Sequence, residues 1–265
     1  MHSHDPALSE AAPLALVDGQ CINLATQRDA LDAVSARAGS GRGFTLFTLN
    51  MDHLVKRRSN PAFRAAYARA TLVTADGAPV VAMARRQDRR VSVTTGADLV
   101  EPLCKAAAEE GLSVYLFGAT RSSLEKAARS LRERHRGLSI VGLEAPPFGF
   151  DPQSPAADAA AARIAASGAR LVLVALGAPK QELFADRAFS RHPQLGFVCI
   201  GAALDFISGE QVRAPRILHG TGLEWLWRLA AQPRRLAWRY WLCARLLGEL
   251  ALAGPARRGV TPAAR

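Results

Sequence analysis

Asp76 stands directly after a short apolar run and directly before Gly77-Ala78-Pro79, where a helical pattern opens. A carboxylate in that position has two uses. It can cap the helix, accepting a backbone N–H ahead of a proline in the first turn. It can also act as a general base that takes a proton from an attacking hydroxyl. Far along the chain, Gln211 to Arg265 holds ten Arg and two Glu, which gives this segment +8 of the net +11. The other 210 residues carry only +3. Positive charge this localised points to an anionic partner: a phosphate-rich ligand, a membrane surface or a nucleic acid.

Two glycine turns could receive an anion. Gly177-Ala178-Pro179-Lys180-Gln181-Glu182 follows the most apolar run and opens a helix, and Gly118-Ala119-Thr120 has the same layout. Such a turn offers backbone N–H groups and the positive end of a helix, although glycine turns after strands also arise for steric reasons alone. Neither is a GxGxxG fingerprint or a Walker loop. The six His are dispersed without an HExxH or a His–acid cluster, and His53, near these residues, reads as a packing or surface side chain. No GxSxG elbow and no Asp-x-Asp pair is present, so nothing calls for a divalent cation or another cofactor. A diphosphate leaving group would have to be stabilised by arginines.

These residues need elements to position them. Strand-like runs at 44–49, 71–74, 113–117, 139–143, 171–176 and 197–200 alternate with helical patterns at 61–70, 79–87, 97–110, 121–134, 155–167 and 179–190. The alternation predicts an α/β fold, a mostly parallel sheet with helices on both faces. The run 171–176 is apolar on both faces, as a central parallel strand must be. Ligands of such sheets bind outside the carboxyl ends of the strands. Thr48, Asn50, Asp52, Asp76, Gly118, Gly177, Lys180, Gln181, Gly201 and Asp205 therefore gather at one edge. We place a catalytic body at 1–209 and a basic appendage at 210–265, with frayed tails at 1–13 and 254–265.

Cys21, Cys104, Cys199 and Cys243 show no CxxC spacing, which argues against a disulfide or zinc site and fits a reducing compartment. Residues 1–13 lack the pattern of a signal peptide, and no run reaches the ~20 apolar residues of a spanning helix. The appendage nevertheless reads as membrane-associating. On a helix from Pro233, Arg234, Arg235, Arg239, Arg245 and Glu249 fall within an arc of roughly 140°. The opposite arc, including Leu236, Tyr240, Trp241, Leu247 and Leu252, is apolar, while Trp238, Leu242 and Leu246 are mixed into the charged sector. Such a helix suits a lipid interface through Arg234, Arg235, Trp238, Arg239 and Trp241, or else packs on the body with a solvated basic face.

The chain resembles the WecG/TagA/CpsF family of bacterial glycosyltransferases. The resemblance rests on Thr48-Leu49-Asn50, Ala75-Asp76-Gly77, Gly177 to Glu182, Gly201 with Asp205-Phe206 and Gly209, Arg213-Ala214-Pro215, Gly222 to Leu229, Pro233-Arg234 and Arg239-Tyr240, in the family's order. It implies a Rossmann-like core, a C-terminal appendage that reaches the membrane, and inverting, metal-independent transfer of one sugar. The donor would be a UDP-sugar carrying N-acetylmannosamine, its uronic acid, glucose or galactose. The acceptor would be a polyprenyl-diphosphate-linked saccharide at the cytoplasmic face of the bacterial plasma membrane, where the protein would be peripheral.

By the same resemblance Asp76 is the base, and Thr48, Asn50 and Gln181 hold sugar and acceptor. Gly118, Gly177 and Lys180 lie against the nucleotide, Asp205 belongs to the substrate site, and Arg213, Arg216 and Arg228 neutralise the diphosphate. Gly201-Ala202-Ala203, where the family often shows a second glycine, departs from the pattern. Two other classes fit less well. A nicotinamide-dependent oxidoreductase would show GxGxxG in a first βαβ unit, which is missing. A nucleic-acid-binding protein would use the same Arg/Trp segment for phosphates and stacking; our reading assigns no nucleic-acid partner.

Overall fold

The computed structural model describes residues 13–212, 227, 229 and 233–252. Arg213, Arg216, Arg228 and the side chain of Arg235 lie outside the described residues. The described chain opens with a hairpin of β1 (Ala15–Val17) and β2 (Gln20–Ile22), turned by Asp18 and Gly19 at φ 48° and 71°. Such a two-residue turn matches the twist of the strands it joins. Next come α1 (Gln27–Gly39), β3 (Phe44–Leu49), α2 (Met51–Ser59), α3 (Pro61–Arg69), β4 (Leu72–Ala75), α4 (Ala78–Ala84) and α5 (Gly96–Glu110). They are followed by β5 (Val114–Gly118), α6 (Arg121–Arg134), β6 (Ile140–Glu144), α7 (Pro155–Ala166), β7 (Leu171–Ala175), α8 (Lys180–Arg191), β8 (Gly196–Cys199), α9 (Ala203–Ile207) and α10 (Pro233–Leu252).

All six expected strands are present, each within one residue of its expected bounds. They form a single parallel sheet in the order β4-β3-β8-β7-β5-β6, so the core is α/β and Rossmann-like. The hairpin, α1, α2 and the short α9 have no counterpart among the expected elements. The helix expected at 79–87 ends at Ala84, as the chain turns through Arg85 to Gln87.

Side chains alternate across the sheet, as a period of two requires. Phe44 and Leu46, Val114 and Leu116, and Leu171 and Leu173 enter one core, with α1, α5, α6 and α9. Phe47 and Leu49, Tyr115 and Phe117, and Val172 and Val174 enter the other, with α2, α3, α4, α7 and α8. At two pairs of neighbouring strands that are not consecutive in the chain, the following helices leave on opposite faces. After β5 the chain goes to α6 and after β7 to α8; after β3 it goes to α2 and after β8 to α9. Each divergence opens a crevice at the carboxyl edge, where ligands of doubly wound sheets bind.

α10 packs on α2 through one stripe. Leu236 and Leu246 are buried, at 6 % and 3 % exposure, and Cys243 and Leu250 pack against the same core as α2. Arg239 joins this stripe by an ion pair at 2.8 Å to Asp52 in the first turn of α2, and Lys56 pairs with the same carboxylate. Arg58 reaches both Asp18 of the hairpin turn and Glu249 of α10. The seam thus straddles the two arcs read from the sequence. Leu246 was placed in the charged sector and is buried, because Asp52 lets an arginine of that sector come inward with it. Trp241 and Leu252 were placed in the apolar arc and stand 50 % and 91 % exposed.

This seam makes Arg239 a latch. Arg239→Ala should weaken the hold of α10 by about 1–2 kcal/mol, read as faster amide hydrogen exchange across 233–252. Arg245→Ala, whose partner Glu249 lies on the same exposed turn pair, should leave that exchange unchanged. Equal effects of the two substitutions would show that the inward ion pair is not what holds the helix.

Candidate active site

The residues after β3 and β4 meet because of strand register. Leu49 pairs with Ala75, and the Asp76 N–H donates to Leu49 O at 2.8 Å, so Asn50 and Asp76 emerge side by side. Asn50 is the N-cap of α2, its Oδ1 accepting from the His53 N–H at 3.0 Å. Its Nδ2 donates to Asp76 Oδ2 at 3.2 Å. Both ends of the amide are engaged, and its orientation is fixed by the helix it caps.

Asp76 itself is not the N-cap residue of α4. The N-cap position is taken by Gly77, at φ 86°, so Asp76 stands one residue ahead of it. The carboxylate stands half-buried at the sheet edge beside Asn50. The cap position itself thus belongs to the glycine, and a carboxylate at this edge can accept a proton from a hydroxyl brought there.

Behind this pair lies a buried polar network that the sequence did not announce. Tyr67, on α3, donates to the Thr48 carbonyl at 3.4 Å, and its hydroxyl lies 2.7 Å from His53 Nδ1. One proton is shared between this hydroxyl and Nδ1, and the tautomer decides which of the two donates. His53 Nε2 faces Glu182 Oε1 at 4.0 Å. Burial pushes the His53 pKa down to about 3, with Lys56 and Arg239 acting in the same direction, so the ring is neutral. Glu182, fully buried, accepts at Oε1 from Gln181 Nε2 at 2.8 Å. Gln181, 3 % exposed, accepts the Gly201 N–H on its Oε1 at 3.0 Å.

The remaining expected residues divide between the two crevices. Thr48 is 5 % exposed and contributes its carbonyl to Tyr67. Gly118 and Gly177 flank the β5/β7 crevice, and Lys180 is exposed at the start of α8. Asp205 accepts from Ser123 Oγ at 2.8 Å and from Gln211 Nε2 at 2.9 Å, which fastens α9 to the first turn of α6. Gln181 and Asp205 are therefore already engaged inside the protein. Arg234 lies at the exposed start of α10, and Trp238 stacks on Trp241 at 4.7 Å with Arg245 over the Trp241 ring at 5.5 Å. Among the described residues, no group of three or more His, Cys, Asp or Glu is placed to hold a metal ion.

Sequence reasoning missed His53, Tyr67 and the role of Glu182. The available signal was Asn50 three residues before His53, the spacing of an N-cap to the amide it satisfies.

A sequence model of the Glycosyl transferase WecG/TagA/CpsF family matches residues 16–257. The chain belongs to this family. It is a glycosyltransferase, and its substrates are a sugar donor and an acceptor. The match runs from the hairpin through α10, so the site and the helix latched to it fall within one family unit.

Gly118 has a packing reason of its own. A Cβ there would lie 2.5 Å from the Ala175 carbonyl carbon and oxygen, and its φ is 110°. At Gly177 an added Cβ would meet nothing within 4 Å, and only φ, at 70°, is restrictive. Gly118→Ala should therefore cost about 2–5 kcal/mol in urea unfolding, and Gly177→Ala only about 1 kcal/mol. Comparable losses at the two sites would contradict this assignment.

Proposed function

We propose that this glycosyltransferase moves a hexose from a UDP-sugar to a polyprenyl-diphosphate-linked saccharide, with inversion and without a metal. The observation that carries this reading is the placement of Asp76: it is held by Asn50 at the carboxyl end of β4, one residue ahead of the N-cap of α4. The acceptor hydroxyl gives its proton to the Asp76 carboxylate as its oxygen attacks the anomeric carbon. The bond from that carbon to the UDP oxygen breaks on the opposite face, and UDP leaves with the electron pair. Charge on the departing diphosphate is met by arginines, for which we propose Arg213, Arg216 and Arg228 from the appendage at 210–265.

Within the body at 1–209 we assign the β5/β7 crevice to the nucleotide, with Gly118, Gly177 and exposed Lys180 on its walls, and the β3/β8 crevice to the sugars. Thr48 and Asp205 line this region. Asn50 and Gln181, whose amides are engaged, shape it from behind. Asp76→Asn should lower turnover by about 10²–10⁴-fold, the scale of a missing general base, while UDP still protects the variant against melting. The assay is transfer from a panel of UDP-sugars to a short-chain polyprenyl-diphosphate saccharide. Near-normal turnover by folded Asp76→Asn would remove Asp76 from the chemistry.

We further propose that the outer face of α10 rests on the cytoplasmic face of an anionic membrane. Trp238 is 65 % and Trp241 50 % exposed, stacked on each other, with Arg234 and Arg245 on the same side. Aromatic rings flanked by arginines suit the headgroup layer. No helix among the described residues is long and apolar enough to cross a membrane. Replacing both tryptophans by serine should abolish co-sedimentation with anionic vesicles while the melting temperature stays within about 2–4 °C of the parent. Retained sedimentation would place the membrane contact elsewhere.

A further inference from the structure

We propose that Glu182 is a positioning residue for the transfer reaction, holding the Gly201 turn on one side of the β3/β8 crevice and the His53–Asn50 end of α2 on the other. This deepens the transferase reading above and rests on it for the meaning of the crevice. The path is continuous. The Gly201 N–H reaches Gln181 Oε1, and Gln181 Nε2 reaches Glu182 Oε1. The same oxygen faces His53 Nε2, the His53 N–H fixes Asn50, and Asn50 holds Asp76. Both walls of the crevice are thus reached from Glu182 through hydrogen-bonded or facing groups.

Its chemical state follows from its surroundings. The side chain has no exposure, and Oε2 lacks a hydrogen-bond partner. Among the described residues, Lys56 and Arg239 pair with Asp52 and His53 is neutral, so the nearby cations are committed to another carboxylate. A buried carboxyl in that situation keeps its proton. Burial raises its pKa to about 7, with Asp52 adding to the rise and the Gln181 bond and Lys56 opposing it. The other titratable groups that feel it are Tyr67 on α3 and Cys199 on β8. Burial and the Glu182 charge raise the Tyr67 and Cys199 values well above their ordinary ones, so neither titrates near neutrality. The folded-state value for Glu182 lies above its ordinary 4.5, so its stabilisation is complete below that pH and is lost as pH rises through about 7.

Ionisation would place a charge on a buried carboxylate held by the Gln181 Nε2 donor, strengthening that bond and pulling on the Gln181 amide. The Gly201 N–H and the Asn50 side-chain amide should both register that change. In nitrogen-labelled full-length protein, their resonances should move together between about pH 6 and about pH 8.5, with a common midpoint near neutrality. In Glu182→Gln, an uncharged isostere, both should be flat across that range. Turnover of this variant should stay within about threefold of the parent at the acid end, and its melting temperature at the alkaline end should rise by about 2–4 °C. Glu182→Ala should lower kcat by about 10–100-fold with a smaller change in KM, the signature of displaced geometry.

Resonances that do not respond in the parent, or that respond equally in Glu182→Gln, would overturn the proposal. Should Glu182→Gln fail to fold, the parent labelled at the Glu side-chain carboxyl decides instead, and a Glu182 carboxyl that titrates in the ordinary range overturns it. UDP is the control ligand. Failure of UDP to bind any variant at any pH would count against the donor reading, whereas the resonance titration stands or falls by itself.

Discussion

One side-chain amide sets the geometry of the carboxyl edge. Asn50 has a single carbonyl oxygen, which caps α2, and a single amide nitrogen, which holds Asp76. The cap is worth about 1 kcal/mol and a bond to an ionised group about 1.5–3 kcal/mol, so the two together outweigh the rotamer freedom given up. The amide can perform both tasks only because β3 and β4 are paired with Leu49 opposite Ala75. A slip of one residue would turn Phe47 and Leu49 to the wrong core and separate the pair. The placement of the proposed base is therefore a consequence of the apolar register of the sheet.

The same alternation decides where ligands can enter. Residues such as Val172 and Leu173 face different cores, so each strand serves both layers, and the helix after it commits to one face. Where successive commitments oppose each other, at β5/β7 and β3/β8, the chain cannot fill the space above the sheet edge. The membership in a glycosyltransferase family and the location of these crevices are independent observations, one from residue identities along 16–257 and one from backbone topology.

The sheet was legible because its strands are apolar on both faces and bounded by helix starts with strong signals: Pro61, Pro155 and Thr120 all open helices. The elements that escaped lack such contrast. β1 and β2 have three residues each, too few for a period to show, although Asp18-Gly19 is a strong hairpin signal. α2 reads as polar, with Lys56, Arg57 and Arg58 in its last turn, and its apolar contacts are made by long side chains; Arg57 is itself buried against Tyr67. Site residues at strand ends were legible by position. The network behind them was not, since His53, Tyr67 and Glu182 come from three helices and only the folded chain brings them together.

The packing of α10 shows how one buried charge redistributes a helix's faces. Asp52 is 7 % exposed and already paired with Lys56, yet it draws in Arg239 as a second cation. Accepting an arginine turns the helix so that Leu236, Cys243, Leu246 and Leu250 flank it in the seam. Trp238, Trp241 and Leu252 are then too far round to be covered. Helix axes in such contacts lie about 8–10 Å apart. With the outer face of α10 in a lipid headgroup layer, α2 would run one helix spacing further in, and Asn50 at its start would keep a fixed depth from the membrane. An acceptor sugar joined to a lipid through a diphosphate would need to extend only that far to reach Asp76. The ion pair that orients α10 would thus set the distance between membrane and base.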